Sequence, residues 1–208
     1  MSVVGGSANT GLVSRVQNIL MKPAAEWDVI DGEPATVGGL YTGYACILAA
    51  IPAIASVIGS FFLLHYGALL LVVSLVLSYV LSLVGVFVIA LIIDALAPSF
   101  GAQKSQIQAL KLVIYSYTAS WVAGIALIIP VLGGLIALIG WVYSLYILYL
   151  GLPKLMKSPA DKTVGYFVVS LVVAIVVYAL IAVIAGMIVG MLVVGAVAAG
   201  GAAMSGVH

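Results

Sequence analysis

The sequence predicts an all-α polytopic membrane protein: a bundle of five transmembrane helices behind an amphipathic, cytoplasmic N-terminal arm. Three observations predict it. Only thirteen of the 208 residues are charged, seven Lys/Arg and six Asp/Glu, a share of 6% where a soluble domain carries about 25%. The hydrophobic share is 65%, against the usual figure of about 45–50%. So few charges cannot cover a soluble surface, and a disordered chain needs low hydrophobicity. Finally, the charges are bunched, and the stretches between them match the roughly 20 apolar residues that a bilayer crossing requires.

The arm, residues 1–36, holds Arg15, Lys22, Glu26, Asp28, Asp31 and Glu33. Within it Leu12, Val13, Val16, Ile19 and Leu20 recur at helical spacing, with Ser14, Arg15, Gln17 and Asn18 opposite. Asn9 or Thr10 is a suitable N-cap, and Pro23 stops the helix. Such a helix either lies in the headgroup layer or packs on the loops of its own protein. No apolar run follows a basic N-terminal stretch, so the arm does not read as a signal peptide.

The spans fill residues 37–199. They are expected at about 37–64, 67–96, 112–129, 132–152 and 164–198. His65-Tyr66-Gly67 separates the first two, and Pro98 and Gly101 open the loop after the second. Pro130 with Gly133 and Gly134 turns the third into the fourth, and Gly151, Pro153 and Pro159 mark the loop before the fifth. A short outer tail, 200–208, follows. Counting Lys and Arg in these short connections gives two in the arm, two after span two, three after span four and none elsewhere. By the positive-inside rule the N-terminus is cytoplasmic and the C-terminus outside a cell (inner) membrane.

Few side chains in the spans can carry chemistry. Asp94 is the one acid inside a hydrophobic run, and an intramembrane acid is a functional candidate by default. It lies 27 residues beyond Gly67, about 40 Å of helix against a hydrocarbon layer of about 30 Å. Depth therefore puts it at the cytoplasmic boundary, level with Lys111, where an ion pair with Lys111 or a hydrogen bond to Tyr115 is expected. Ser74, Ser78 and Ser82 form a small-residue face on span two that Gly85 continues. Such a face suits close helix contact or, alternatively, a polar lining for a pathway. Gly186 and Gly190 form a GxxxG on span five, and Pro52 should bend span one. Aromatics gather at the cytoplasmic boundary, Trp27, Tyr41, Tyr44 and Tyr115 among them, with Phe61, Phe62 and Tyr66 at the outer one, as an interfacial belt does. Tyr143, Tyr146 and Tyr149 make a strip on span four.

Catalytic signatures are absent. His65 and His208 fall on the outer side, and no HExxH, P-loop or dinucleotide-binding glycine pattern occurs. The acids of the arm come from one short segment without a ligand cage and read as solvated charge. No Cys/His cluster has metal-ligand spacing, and Cys46 is the only cysteine. No cofactor is expected, and the +1 net charge gives no basic patch for nucleic acid.

Several short stretches together resemble a known family. They are Arg15-Val16-Gln17-Asn18-Ile19-Leu20 with Pro23; Glu26-Trp27-Asp28 and Glu33-Pro34; Ile93-Asp94-Ala95-Leu96-Ala97-Pro98; Ala109-Leu110-Lys111 with Tyr115-Ser116; Trp121-Val122-Ala123-Gly124; and Tyr149-Leu150-Gly151-Leu152-Pro153. The chain resembles a bacterial member of the Yip family, the Ypt/Rab-interacting membrane proteins, from about residue 12 to 185. The resemblance implies a five-span bundle with a cytoplasmic N-terminus. For eukaryotic members it implies vesicle traffic with Rab-type GTPases and sister proteins. Their Asp-Leu-Tyr-Gly-Pro stretch is absent here, and Asp94-Ala95-Leu96-Ala97-Pro98 is a distant echo of it.

The expected function is that of a non-catalytic scaffold or membrane-organising protein. Its partners would be the lipid bilayer and a second copy or another membrane protein. The alternative is a transporter or channel for a small or lipid-like molecule. Candidate functional or interaction residues are Trp27, Asp94, Lys111, Tyr115, Ser74, Ser78 and Ser82.

Overall fold

In a membrane the helix with the most polar groups belongs at the centre of a bundle, and the most apolar helix can face lipid. The computed structural model, which describes residues 11–63, 68–129 and 131–205, follows this order. Among the described residues five helical segments are long and apolar enough to cross a membrane. Mean hydropathy is lowest in span three, Gln106–Ile128, at 1.4, and highest in span five, Ala160–Met191, at 3.1. Burial runs the other way, with span three the most buried of the five and span five the least.

The arm is a helical hairpin. Helix α1, Leu12–Met21, ends at Lys22, and α2, Pro23–Gly32, begins with Pro23 at its first position, where the missing N–H costs nothing. Gly11 stands at the N-cap of α1. Span one starts as α3, Val37–Leu40, capped by Thr36, whose Oγ1 accepts from the Gly39 N–H at 3.1 Å. It passes through a π-helical turn, Tyr41–Ala45, into α4, Cys46–Leu63, with Pro52 inside the helix. Span two is α5, Ala68–Leu96, closed by a 3₁₀ turn, Ala97–Phe100. Span three is broken: α6, Gln106–Ser116, yields at Tyr117 to α7, Thr118–Ala123, and then to a 3₁₀ stretch, Gly124–Ile128. Span four is α8, Leu132–Leu155, and span five lies in α9, Ala160–Ser205.

Span three is held between α4, α5 and α8, while α9 leans mainly on α5. Span one reaches span three at Gly124, where a Cβ would stand 2.5 Å from Pro52 Cβ. Tyrosine hydroxyls tie span one to span two: Tyr79 donates to the Cys46 carbonyl and Tyr41 to the Leu83 carbonyl, each at 2.9 Å.

The expected Asn9 or Thr10 cap, the His65-Tyr66-Gly67 break, Pro130, residues 206–208 and the side chains of Phe61, Phe62 and Ser74 lie outside the described residues.

Candidate functional site

The arm closes on one end of the bundle, the end that carries the charges, and Arg15 sits inside the closure. The spacing of apolar residues put Arg15 on the outer face of α1, yet it is 5% exposed while Val13 is 65% exposed. The reason is electrostatic. Arg15 Nη1 donates to Glu26 on α2, Nη2 donates to Glu33 just beyond it, and the guanidinium lies over the Tyr115 ring, 5.6 Å from its centre. A planar guanidinium can serve two carboxylates and an aromatic face at once. Burial alone would lower the pKa of Arg15. The hydrogen bond and charge of Glu33, with the charge of Glu26, more than offset this and raise it above its ordinary value. Glu26 is itself buried, so this acid is no solvated charge.

Lys111 caps the same assembly. Its ammonium donates to the main-chain carbonyls of Ile30, at 2.9 Å, and Glu33, at 2.5 Å. These carbonyls stand at the C-terminal end of α2, where a cation also meets the negative end of the helix dipole. Gln108 Nε2, one turn earlier on α6, donates to Asp31 Oδ1 at 3.0 Å. Lys111 and Tyr115 therefore engage the arm, and the pairing of either with Asp94 does not form.

Trp27 anchors the arm. It is fully buried, and its Nε1 donates to the Ile147 carbonyl at 3.0 Å. The indole fits because α8 has Gly151 there: a Cβ would stand 2.5 Å from Trp27 Cε2 and 2.6 Å from Leu112 Cδ1. Tyr143 donates to the Leu20 carbonyl at 2.7 Å, fixing the end of α1. Two exposed ion pairs trim the rim, Lys154 with Asp28 at 2.6 Å and Lys157 with Asp31 at 2.5 Å. From span one the π turn presents Tyr44, whose hydroxyl lies 2.8 Å from Thr118 Oγ1 and whose ring meets Tyr115 edge-on at 4.8 Å. π turns are frequent at functional sites. Between the arm and span one a cleft of about 790 Å³ opens onto Arg15, Glu33, Tyr44 and Tyr115.

The other candidates lie elsewhere. Asp94 is buried, and its Oδ1 has no hydrogen-bond partner. Next to it, Tyr166 donates to the Ile93 carbonyl and stacks on Phe100 at 5.1 Å. Ser78 and Ser82 donate to carbonyls of their own helix, Leu75 at 3.0 Å and Tyr79 at 2.8 Å, and Ser78 is exposed.

This arrangement can be set beside known proteins. The model of the Yip1 domain matches residues 18–183. The chain belongs to the Yip1 family. The match takes in α2 with Trp27, all of spans one to four and the first half of α9. The chain is similar to the inner membrane protein YohC of two Escherichia coli strains. Identity to each is 27% over 173 residues, covering 77% of this chain and 88% of the relative. No solved structure matches the chain. The Yip1 likeness names no reaction, and what the sequence reading missed at this end is the buried pairing of Arg15 with Glu26 and Glu33. Its signal was there to read: opposite charges on either side of a proline break, in a chain almost without charge.

Proposed function

We propose that this Yip1-family protein is a non-catalytic scaffold or membrane-organising protein that works through its arm-bearing face. The carrying observation is how the charges are used. Arg15, Glu26, Glu33, Asp28, Asp31, Lys154 and Lys157 all join ion pairs that fold the arm or hold it to the bundle, and Lys111 adds a further tie. A preorganised surface loses little freedom on association, which suits a surface that receives a partner. Outward on the arm stand Val13, Met21 and Val29, 65%, 78% and 49% exposed.

The positive-inside count favours a cytoplasmic location for this face, and the likeness to the inner membrane protein YohC supports an inner-membrane location. The partner in this reading is a second copy or another membrane protein. The transport alternative rests on the Ser74, Ser78 and Ser82 face, the Pro52 bend and the tyrosine strip of span four, and needs a cavity between spans that Asp94 faces. Ser78 and Ser82 each donate to a carbonyl of their own helix, which takes weight from the first of these motives.

Purification of the full chain from native membranes after mild cross-linking tests the scaffold reading. It should recover a homo-oligomer or a stoichiometric partner, which Met21→Ser with Val29→Ser releases. A strictly monomeric, partnerless protein would overturn it. Labelling of Lys22→Cys from the cytoplasmic side only would support the orientation.

A further inference from the structure

A second cavity, of about 400 Å³, lies within the bundle, lined by all the spans except the first. Its walls are mostly apolar, and among the described residues none that lines it is charged. Three of its lining residues are serines from three different spans, Ser116, Ser144 and Ser170, at 2%, 5% and 2% exposure. The hydroxyls of Ser116 and Ser170 have no hydrogen-bond partner. A buried hydroxyl left without one costs about 1–3 kcal/mol, so two at one cavity call for an explanation. Ser144 Oγ accepts the Ser120 N–H at 2.9 Å.

The break in span three supplies the next observation. Ser116 ends α6, and Tyr117, the residue between α6 and α7, lines the cavity. In membrane proteins irregular backbone occurs at depth where it is sheltered by protein or lines a cavity, and broken helices often mark a binding site. The most exposed lining residues are Trp141 on α8 and Ile175 on α9, 37% and 51% exposed. The mouth therefore lies between spans four and five and faces the lipid tails.

We propose that this cavity binds an uncharged lipid-like molecule, an apolar chain or ring bearing a carbonyl or hydroxyl oxygen. It enters sideways between α8 and α9 and takes hydrogen bonds from Ser116 and Ser170. Absence of lining charge disfavours phosphate or carboxylate, which would remain unpaired. The volume falls within the range of small-molecule sites, about 300–1,000 Å³. This inference stands apart from the scaffold reading, since no residue of the arm lines the cavity.

The test uses the full chain in nanodiscs and a photoreactive diazirine analogue of hexadecanol. Labelling should map to peptides of α8 and α9, saturate at about one probe per protein, and yield to excess hexadecanol but much less to hexadecane. Ala174→Phe fills the cavity and should abolish saturable labelling. Ser116→Ala with Ser170→Ala keeps the volume, removes both donors and should weaken apparent affinity about ten- to thirtyfold. If Ala174→Phe does not fold, the serine pair still decides. Labelling that never saturates, that both variants leave unchanged, or that hexadecane displaces as well as hexadecanol overturns the proposal.

Discussion

Trp27 on the arm and Ile147 in the middle of span four are joined by an indole N–H···O=C bond of 3.0 Å between residues 120 positions apart. That bond fixes the arm to the bundle at a point inside α8, well short of its end at Leu155. Trp27→Phe keeps the ring burial and removes the bond, and should cost about 1 kcal/mol. Trp27→Ala should cost about 3–5 kcal/mol. Thermal unfolding in detergent gives the order. Limited trypsin digestion gives the location, since undocking should uncover Arg15, buried in the docked arm, and speed cleavage after it. Cleavage unchanged in Trp27→Ala would mean that the indole does not hold the arm.

Gly151 is the notch into which that indole fits. Gly151→Ala places a methyl 2.5 Å from Trp27 Cε2, and the overpacking should cost about 1–3 kcal/mol. Once Trp27 is already alanine the same change should cost less, since Leu112 Cδ1, 2.6 Å from the added methyl, can shift into the vacated space. A double-mutant cycle therefore returns a coupling energy well above the few tenths expected of independent sites. Additive effects would separate the two residues.

The buried and exposed ion pairs should behave differently. Glu26→Gln leaves the Arg15 guanidinium short of one buried partner, and removing one member of a buried pair costs about 3–5 kcal/mol. Arg15→Lys should not be silent, because one ammonium cannot reproduce a fork that serves two carboxylates and a ring. Asp28→Asn breaks only the rim pair with Lys154, worth about 0–1 kcal/mol. Melting curves at low and high salt check the contrast: salt should shrink the Asp28 effect and leave most of the Glu26 effect.

Close approach between spans one and three depends on Gly124. Gly124→Ala sets a Cβ 2.5 Å from Pro52 Cβ and should lower the melting temperature through about 1–3 kcal/mol of strain. Gly186→Ala, with nothing within 4 Å, should be neutral or gain up to about 1 kcal/mol from helix propensity. Equal effects of the two would place the crossing elsewhere.

Most of the architecture was legible from composition, because a bilayer imposes a simple rule of length and apolarity. Five helices followed from it, while the family likeness rested on short stretches such as Glu26-Trp27-Asp28 and Tyr149-Leu150-Gly151-Leu152-Pro153. The finer geometry was hidden where local and tertiary signals conflict. Arg15 sits in the polar register of α1, yet it turns inward because its partners lie beyond Pro23, and helical periodicity carries no information about residues outside the helix. Lys111 and Tyr115 were expected to partner Asp94. Carbonyl groups at the end of α2 took Lys111 instead, and backbone acceptors are invisible to a reading of side-chain charges. The visible serine stripe drew attention to span two. Ser116, Ser144 and Ser170 are spread over three spans and meet only through the fold.

The break at Tyr117 bears also on how the chain enters its membrane. Span three carries Ser116, Thr118 and Ser120 and has the lowest mean hydropathy of the five, 1.4, so it gains least from entering the bilayer alone. Such a segment is a poor passenger by itself. Its shelter comes from α5, made before it, and α8, made after it. At about 5–20 residues per second the ribosome delivers α8 within seconds of span three. During that interval the middle of the protein depends on its neighbours to stay in the bilayer, so α5 to α8 must be retained together as a single unit of assembly.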